Sequence, residues 1–224
     1  MGFFRKAEQP YLSLLVSFIV LMLLPGVLDE QFWASRLFDL SLFAVLIFGA
    51  VSARAERKIY VTLMGLASIA ILSKGALWFF ADTVFNTLFL TATGFFLSII
   101  LVVFCRHVFF SKQVDTNIIY GAICIYFFFG ILFTIIYVSL ENIAPGAFII
   151  PLESFSSGLE QGSVLKLRML FYYSFVTQTT LGYGDITPAL PLARNLSILQ
   201  AIAGQMYIAI LVARLIGFYL MQKK

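Results

Sequence analysis

Charge is what this sequence has least of. Lys, Arg, Asp and Glu together make up 12% of its 224 residues, against 61% hydrophobic residues. Soluble domains carry about twice that charged fraction. So few charges cannot cover a water-facing surface, and lipid is the expected solvent. The net charge of +4 does not imply nucleic acid as a partner, because the basic residues stand in short clusters between apolar runs, a pattern that orients membrane proteins. Histidine occurs once, at His107, and cysteine twice, at Cys105 and Cys124. Both cysteines lie inside apolar runs with no neighbour at metal-ligand spacing, and a buried free thiol acts as a small hydrophobe. The sequence has no nucleophile motif, phosphate-binding loop or dinucleotide fingerprint, so neither an enzyme nor a cofactor is expected.

Long apolar runs are what it has in quantity. A bilayer core roughly 30 Å thick takes about 20 apolar residues as helix. Six runs approach or meet that length, at 11–28, 37–53, 59–80, 84–105, 118–140 and 196–220. Backbone groups in lipid must pair within their own segment, so each run is expected to be a helix. The first run follows Arg5 and Lys6, as a secretory leader would, but it ends in Leu-Pro-Gly-Val-Leu without a small-residue cleavage site. It therefore reads as a retained span.

With six alternating spans, Arg5, Lys6, Arg54, Arg57, Lys58, Arg106, Lys112, Lys223 and Lys224 share one side. Arg36, Lys74, Lys166, Arg168 and Arg194 fall on the other. The richer side is cytoplasmic, which places both termini in the cytoplasm of a multi-pass protein of the cell membrane. The long connection at 141–195 is then outside. Its first half, 142–162, holds two prolines with several Gly and Ser residues and reads as loop. Its second half, 165–180, is apolar and aromatic but too short to cross and return, as a re-entrant element would be. Such backbone is tolerated at membrane depth only where protein or a water-filled cavity surrounds it.

Residues 177–188 follow at once: Thr177, Gln178, Thr179, Thr180, Leu181, Gly182, Tyr183, Gly184, Asp185, Ile186, Thr187 and Pro188. Gly182 and Gly184 can take positive φ without steric cost. Alternated with Leu181 and Tyr183, they let successive carbonyls point the same way, and a row of carbonyls repeated by symmetry can replace the water around a cation. One chain supplies one wall, so cyclic symmetry must supply the others.

The string Thr-Leu-Gly-Tyr-Gly-Asp resembles the selectivity-filter signature of potassium channels of the tetrameric pore-loop superfamily, usually Thr-Val-Gly-Tyr-Gly-Asp. The resemblance covers about 118–220. It implies an all-α membrane protein with six transmembrane helices, one re-entrant pore helix and a filter loop, assembled as a homotetramer. The implied ion ligands are the carbonyls of Thr180, Leu181, Gly182 and Tyr183, with the Thr180 hydroxyl adding the innermost site, and Gly184 completes the filter. Leu181 replaces the commoner Val or Ile, at a position that contributes its carbonyl. Tyr172, Tyr173, Thr179 and Asp185 are the implied filter supports, with Tyr173 reaching toward Asp185. Gly204 lies where many members place an inner-helix glycine. A helix-interior glycine costs about 1 kcal/mol relative to alanine and needs a reason such as bending or close packing. Gln205, Ile208, Ala209 and Val212 share a helical face and are the expected cavity wall.

The resemblance divides the chain at 1–112, a four-span membrane domain, and 113–224, the pore domain. Six spans suggest voltage gating, but the fourth run has no Arg or Lys, and each gating charge supplies about 2.3 kcal/mol per 100 mV. Little voltage dependence is expected from it. Asp39 and Lys74 are charges within spans, expected to pair or to snorkel to the outer interface. Arg214 is expected away from the pore, where a ring of arginines would repel cations. Four residues follow the last run, too few for a cytoplasmic ligand-binding domain within this sequence. The expected function is passive, potassium-selective conduction, with potassium as permeant ligand. The alternative is a non-conducting structural or regulatory membrane protein with a channel-like fold. A pore-loop uptake transporter usually carries four degenerate loops, and only one is present.

Overall fold

The computed structural model describes residues 10–27, 31–53, 57–80, 82–111, 115–150 and 162–222. Arg5, Lys6, Arg54, Lys112, Lys223 and Lys224, which carry most of the orientation argument, lie outside the described residues. The described residues form, in order, the helices α1 Pro10–Val27, α2 Gln31–Ser52, α3 Arg57–Ala76, α4 Thr83–Phe109, α5 Thr116–Ile143, α6 Gly162–Gln178 and α7 Pro191–Gln222. Two short strands, β1 Phe148–Ile149 and β2 Thr187–Pro188, flank α6. Among the described residues four helices (α3, α4, α5 and α7 through Arg214) are long and apolar enough to cross a membrane. In α1 the stretch Tyr11–Leu23 is apolar but shorter. The fold is that of an all-α membrane protein.

Helix ends follow local chemistry. Pro10 and Pro191 open α1 and α7, where a missing N–H costs nothing. Asp82 caps α4 by accepting from the Val84 N–H at 3.0 Å. Asp115 does the same for α5 through Ile118 N–H at 2.8 Å. Several hydroxyls inside apolar helices bond back to their own helix, as Ser17 does to Leu14 O and Thr134 to Gly130 O, which pairs those donors where water is absent. The third apolar run reads as helix to Phe80, but α3 stops at Ala76, just after Gly75. Trp78 and Phe80 N–H groups turn back onto Gly75 and Ala76 carbonyls. Lys74 therefore sits in the last turn of α3, where a cation complements the helix dipole.

The described chain forms two compact units that divide within α5, at Phe127 and Phe128. In the first, α1 packs on α2 and α3 on α4, with α2 against α3. Tyr11 meets Phe104 edge-on at 5.0 Å, and Phe18 stacks on Phe127 at 5.0 Å. Asp39 and Lys74 pair at 3.4 Å and both are buried, so pairing, rather than snorkelling, accommodates them. Trp78 Nε1 donates to Asp39 Oδ2 at 3.0 Å, and the Arg36 guanidinium lies 4.2 Å over the Trp78 ring.

The second unit holds the C-terminal part of α5, then β1, α6, β2 and α7. β1 and β2 pair antiparallel, with Phe148 opposite Pro188 and Ile149 opposite Thr187. The buried Glu141 carboxylate accepts from Gly146 N–H at 2.9 Å and Phe148 N–H at 3.1 Å. Two charge-assisted bonds thus fix β1 to the end of α5, and β1 fixes the segment just past residue 186. In the long connection, residues 144–150 form a turn and β1, and 151–161 lie outside the described residues.

Candidate functional site

The site is the segment between α6 and β2. α6 has 17 residues, roughly 25 Å of helix. It ends where Thr179, Thr180 and Leu181 N–H groups turn back to Phe175, Thr177 and Val176 carbonyls. Three residues then take positive φ in strict alternation: Thr180 at 60°, Gly182 at 57° and Gly184 at 80°. Leu181 and Tyr183 between them do not. Alternating left- and right-handed residues turn successive N–H groups to one side and carbonyls to the other. The two glycines were expected to do this. That Thr180 shares the pattern was not, because a β-branched residue rarely takes positive φ. Leu181 and Tyr183 are 57% and 66% exposed on the single chain, so neither is anchored in the unit's own core.

Asp185 ends the segment. Its Oδ1 accepts from Ile186 N–H at 3.0 Å, and its Oδ2 accepts from the Tyr172 hydroxyl at 2.6 Å. That bond pushes the Tyr172 phenol up to about 12, so it stays a donor at physiological pH. The expectation that Tyr173 reaches Asp185 is corrected: the partner is Tyr172. Adjacent helical residues point about 100° apart, and Tyr173 faces the other way. It is buried edge-on against Tyr137 at 5.3 Å and Phe148 at 5.2 Å. Its hydroxyl pairs with Ser197 Oγ at 2.6 Å, and Ser197 in turn donates to Ala193 O.

Behind the segment lies a buried polar network that sequence reasoning missed. Gln200 of α7 donates from Nε2 to Ser174 O at 3.1 Å, Ser174 Oγ at 2.8 Å and Gln178 Oε1 at 3.2 Å. Its Oε1 accepts from the Tyr137 hydroxyl at 2.6 Å. Ser174 Oγ donates to Gly130 O of α5 at 2.7 Å. Gln178, Gln200 and Ser174 are fully buried, where unpaired amides would be costly. The network ties α5, α6 and α7 together. A detectable signal was present: glutamine inside an otherwise apolar run needs a partner.

Two glycines let these helices close on α6. A Cβ on Gly204 would lie 2.6 Å from the Gln178 carbonyl oxygen. One on Gly130 would lie 2.6 Å from Phe175 Cζ and 3.0 Å from Gln178 Oε1. Close packing, of the two reasons weighed for Gly204, is the one this geometry supplies. Gln205 Nε2 donates to Thr180 Oγ1 at 3.0 Å, and Thr180 Oγ1 donates to Thr179 O at 2.6 Å. The Thr179 hydroxyl bonds back to Phe175 O at 2.7 Å. Ile208, Ala209 and Val212 are exposed on α7, but so are Ile202, Met206 and Ile210 on its other faces. Exposure alone does not single out a cavity wall. Arg214 is half-buried. Among the described residues no His, Cys, Asp and Glu cluster could hold a metal ion.

A family model described as "Ion channel" matches residues 143–220, 78 of the chain's 224. The match spans β1, α6, the alternating segment, β2 and nearly all of α7, and it supports ion-channel activity. No curated protein and no solved structure matches the chain.

Proposed function

We propose that this chain is one subunit of a homotetrameric channel of the cell membrane that conducts potassium selectively and passively. The observation that carries the proposal is the alternating backbone at Thr180, Gly182 and Gly184, inside the stretch matched by the ion-channel family. Carbonyls turned to one side and repeated by four chains around an axis would replace the hydration shell of a dehydrated cation. In this reading the carbonyls of Thr180, Leu181, Gly182 and Tyr183 and the Thr180 hydroxyl are the ligands. α6 is a re-entrant pore helix, residues 113–224 form the pore domain, and residues 1–112 form a four-span domain. The six spans leave both termini in the cytoplasm.

Surface left uncovered on the single chain supports assembly. Ile198, Leu199, Ile202 and Met206 of α7 are each more than half exposed, which is a large apolar face for partner chains and lipid to cover. Weak voltage dependence belongs to the same proposal, because α4 carries Arg106 and His107 only in its last turn.

Reversal potentials test it. The purified protein is reconstituted in a planar bilayer with potassium on one side and sodium on the other. The expected reversal lies far from zero, with the potassium side negative. Equal permeability to both cations would defeat the selectivity claim, and a silent, correctly assembled protein would favour the non-conducting alternative.

A further inference from the structure

We infer that Gln205 is a positioning residue that weakens the innermost cation site by occupying the Thr180 hydroxyl oxygen. The inference rests on the filter reading above and adds a residue-level control to it. Thr180 has one hydroxyl hydrogen, and that hydrogen goes to Thr179 O at 2.6 Å. Its oxygen can then only accept from Gln205, which fixes the amide with its N–H toward Thr180, at 3.0 Å. A hydroxyl oxygen has two lone pairs. The amide takes one and leaves the other for an ion.

The donor is held in place by its neighbours on α7. Gly204, immediately before it, lies against the Gln178 carbonyl. Gln200, little more than one turn earlier, is bonded to Ser174 and Gln178. Three residues of α7 therefore grip the end of α6 and the first residue of the alternating segment. Thr180 needs such a grip, since its φ of 60° is unfavourable for a β-branched residue. In the proposed tetramer four amide N–H groups, each the positive end of a dipole, would ring the inner mouth and compete with a cation for the same oxygens. If Gln205 instead serves only as a polar patch of cavity wall, removing its amide leaves the site unchanged.

The experiment uses the full chain in bilayers and barium, a dication close to potassium in size, applied from the side of the C-terminal end of α7. Gln205→Met and Gln205→Leu should tighten barium block roughly tenfold, the fold-change of one net hydrogen bond. The gain should persist with Thr180→Ser and vanish with Thr180→Ala. Gln205→Ala removes the same donor with less bulk and no added charge, so it too must tighten block, which decides the matter should the larger apolar variants fail to assemble. Unchanged or weaker block in the variants, or an equal gain in the Thr180→Ala background, overturns the inference. A parent protein that passes sodium as readily as potassium defeats the potassium reading. A selective parent with unresponsive variants defeats only the role of Gln205.

Discussion

Replacing Gly204 by alanine separates two roles for an inner-helix glycine. A Cβ there would lie 2.6 Å from the Gln178 carbonyl oxygen and 2.9 Å from Gln178 Cγ. Ordinary contact requires about 3.5 Å, so α7 must retreat from the end of α6 by a large fraction of an ångström. Overpacking of this kind costs about 1–3 kcal/mol. The helix-propensity gain from Gly to Ala returns about 1 kcal/mol. The obstacle is backbone rather than a flexible side-chain tip, and the Gln178 side chain is itself bonded to Gln200. The cost therefore falls toward the upper end, leaving a net loss of about 1–2 kcal/mol per chain. The assay is the temperature at which the detergent-solubilised assembly dissociates, alongside the potassium–sodium reversal potential. Gly217→Ala is the internal comparison, since nothing lies within 4 Å of a Cβ there, and it should be neutral or stabilising. If Gly204→Ala is as stable as the parent and equally selective, close packing is not why the glycine is there, and bending regains the argument.

Much of the fold was legible because lipid imposes simple rules. The apolar runs at 84–105 and 118–140 became α4 and α5 with ends extended by a few residues, since hydropathy marks the core of a span and not its caps. The end of α3 was misread because Leu77, Trp78, Phe79 and Phe80 continue the apolar composition through a turn. Composition carries no record of where a backbone turns, although Gly75 was a local cue. At the site, the glycines announced positive φ at 182 and 184, while Thr180 gave no such notice, as its conformation is imposed by the hydrogen bonds around it. The bond to Asp185 was assigned to Tyr173 instead of Tyr172 for a related reason. Neighbouring aromatics look alike in a string, and only the helical phase set by packing against Tyr137 and Phe148 decides which one faces Asp185. Gln200, Ser174 and Tyr137 went unnoticed because their value comes from meeting across three helices, which no spacing rule within one run can show.

The remaining expectations concern the segment, its supports and the buried ion pair. Gly184→Ala forces a side chain onto φ of 80°, a strain of about 1–2 kcal/mol, and should abolish selectivity in reversal-potential measurements. Gly146→Ala, strained alike at φ of 87°, should leave selectivity intact. Tyr173→Phe removes a buried hydroxyl from Ser197 and should cost about 1 kcal/mol in thermal stability with selectivity kept. Tyr172→Phe should do the opposite, altering conduction while barely moving stability, because its bond to Asp185 is exposed. For the ion pair, Lys74→Met leaves the Asp39 carboxylate buried and without its ammonium partner, with the Trp78 N–H still donating to it. Removing one partner of a buried ion pair costs about 3–5 kcal/mol, so this variant should fail to accumulate or should dissociate at a markedly lower temperature. Adding Asp39→Asn removes the stranded charge while keeping an acceptor for the Trp78 N–H, and should recover most of the loss. Recovery is the informative arm: if the double variant is no better than Lys74→Met alone, the lysine stabilises through its contact with the Phe89 ring, 5.1 Å away, and pairing with Asp39 is not what permits these charges inside the spans.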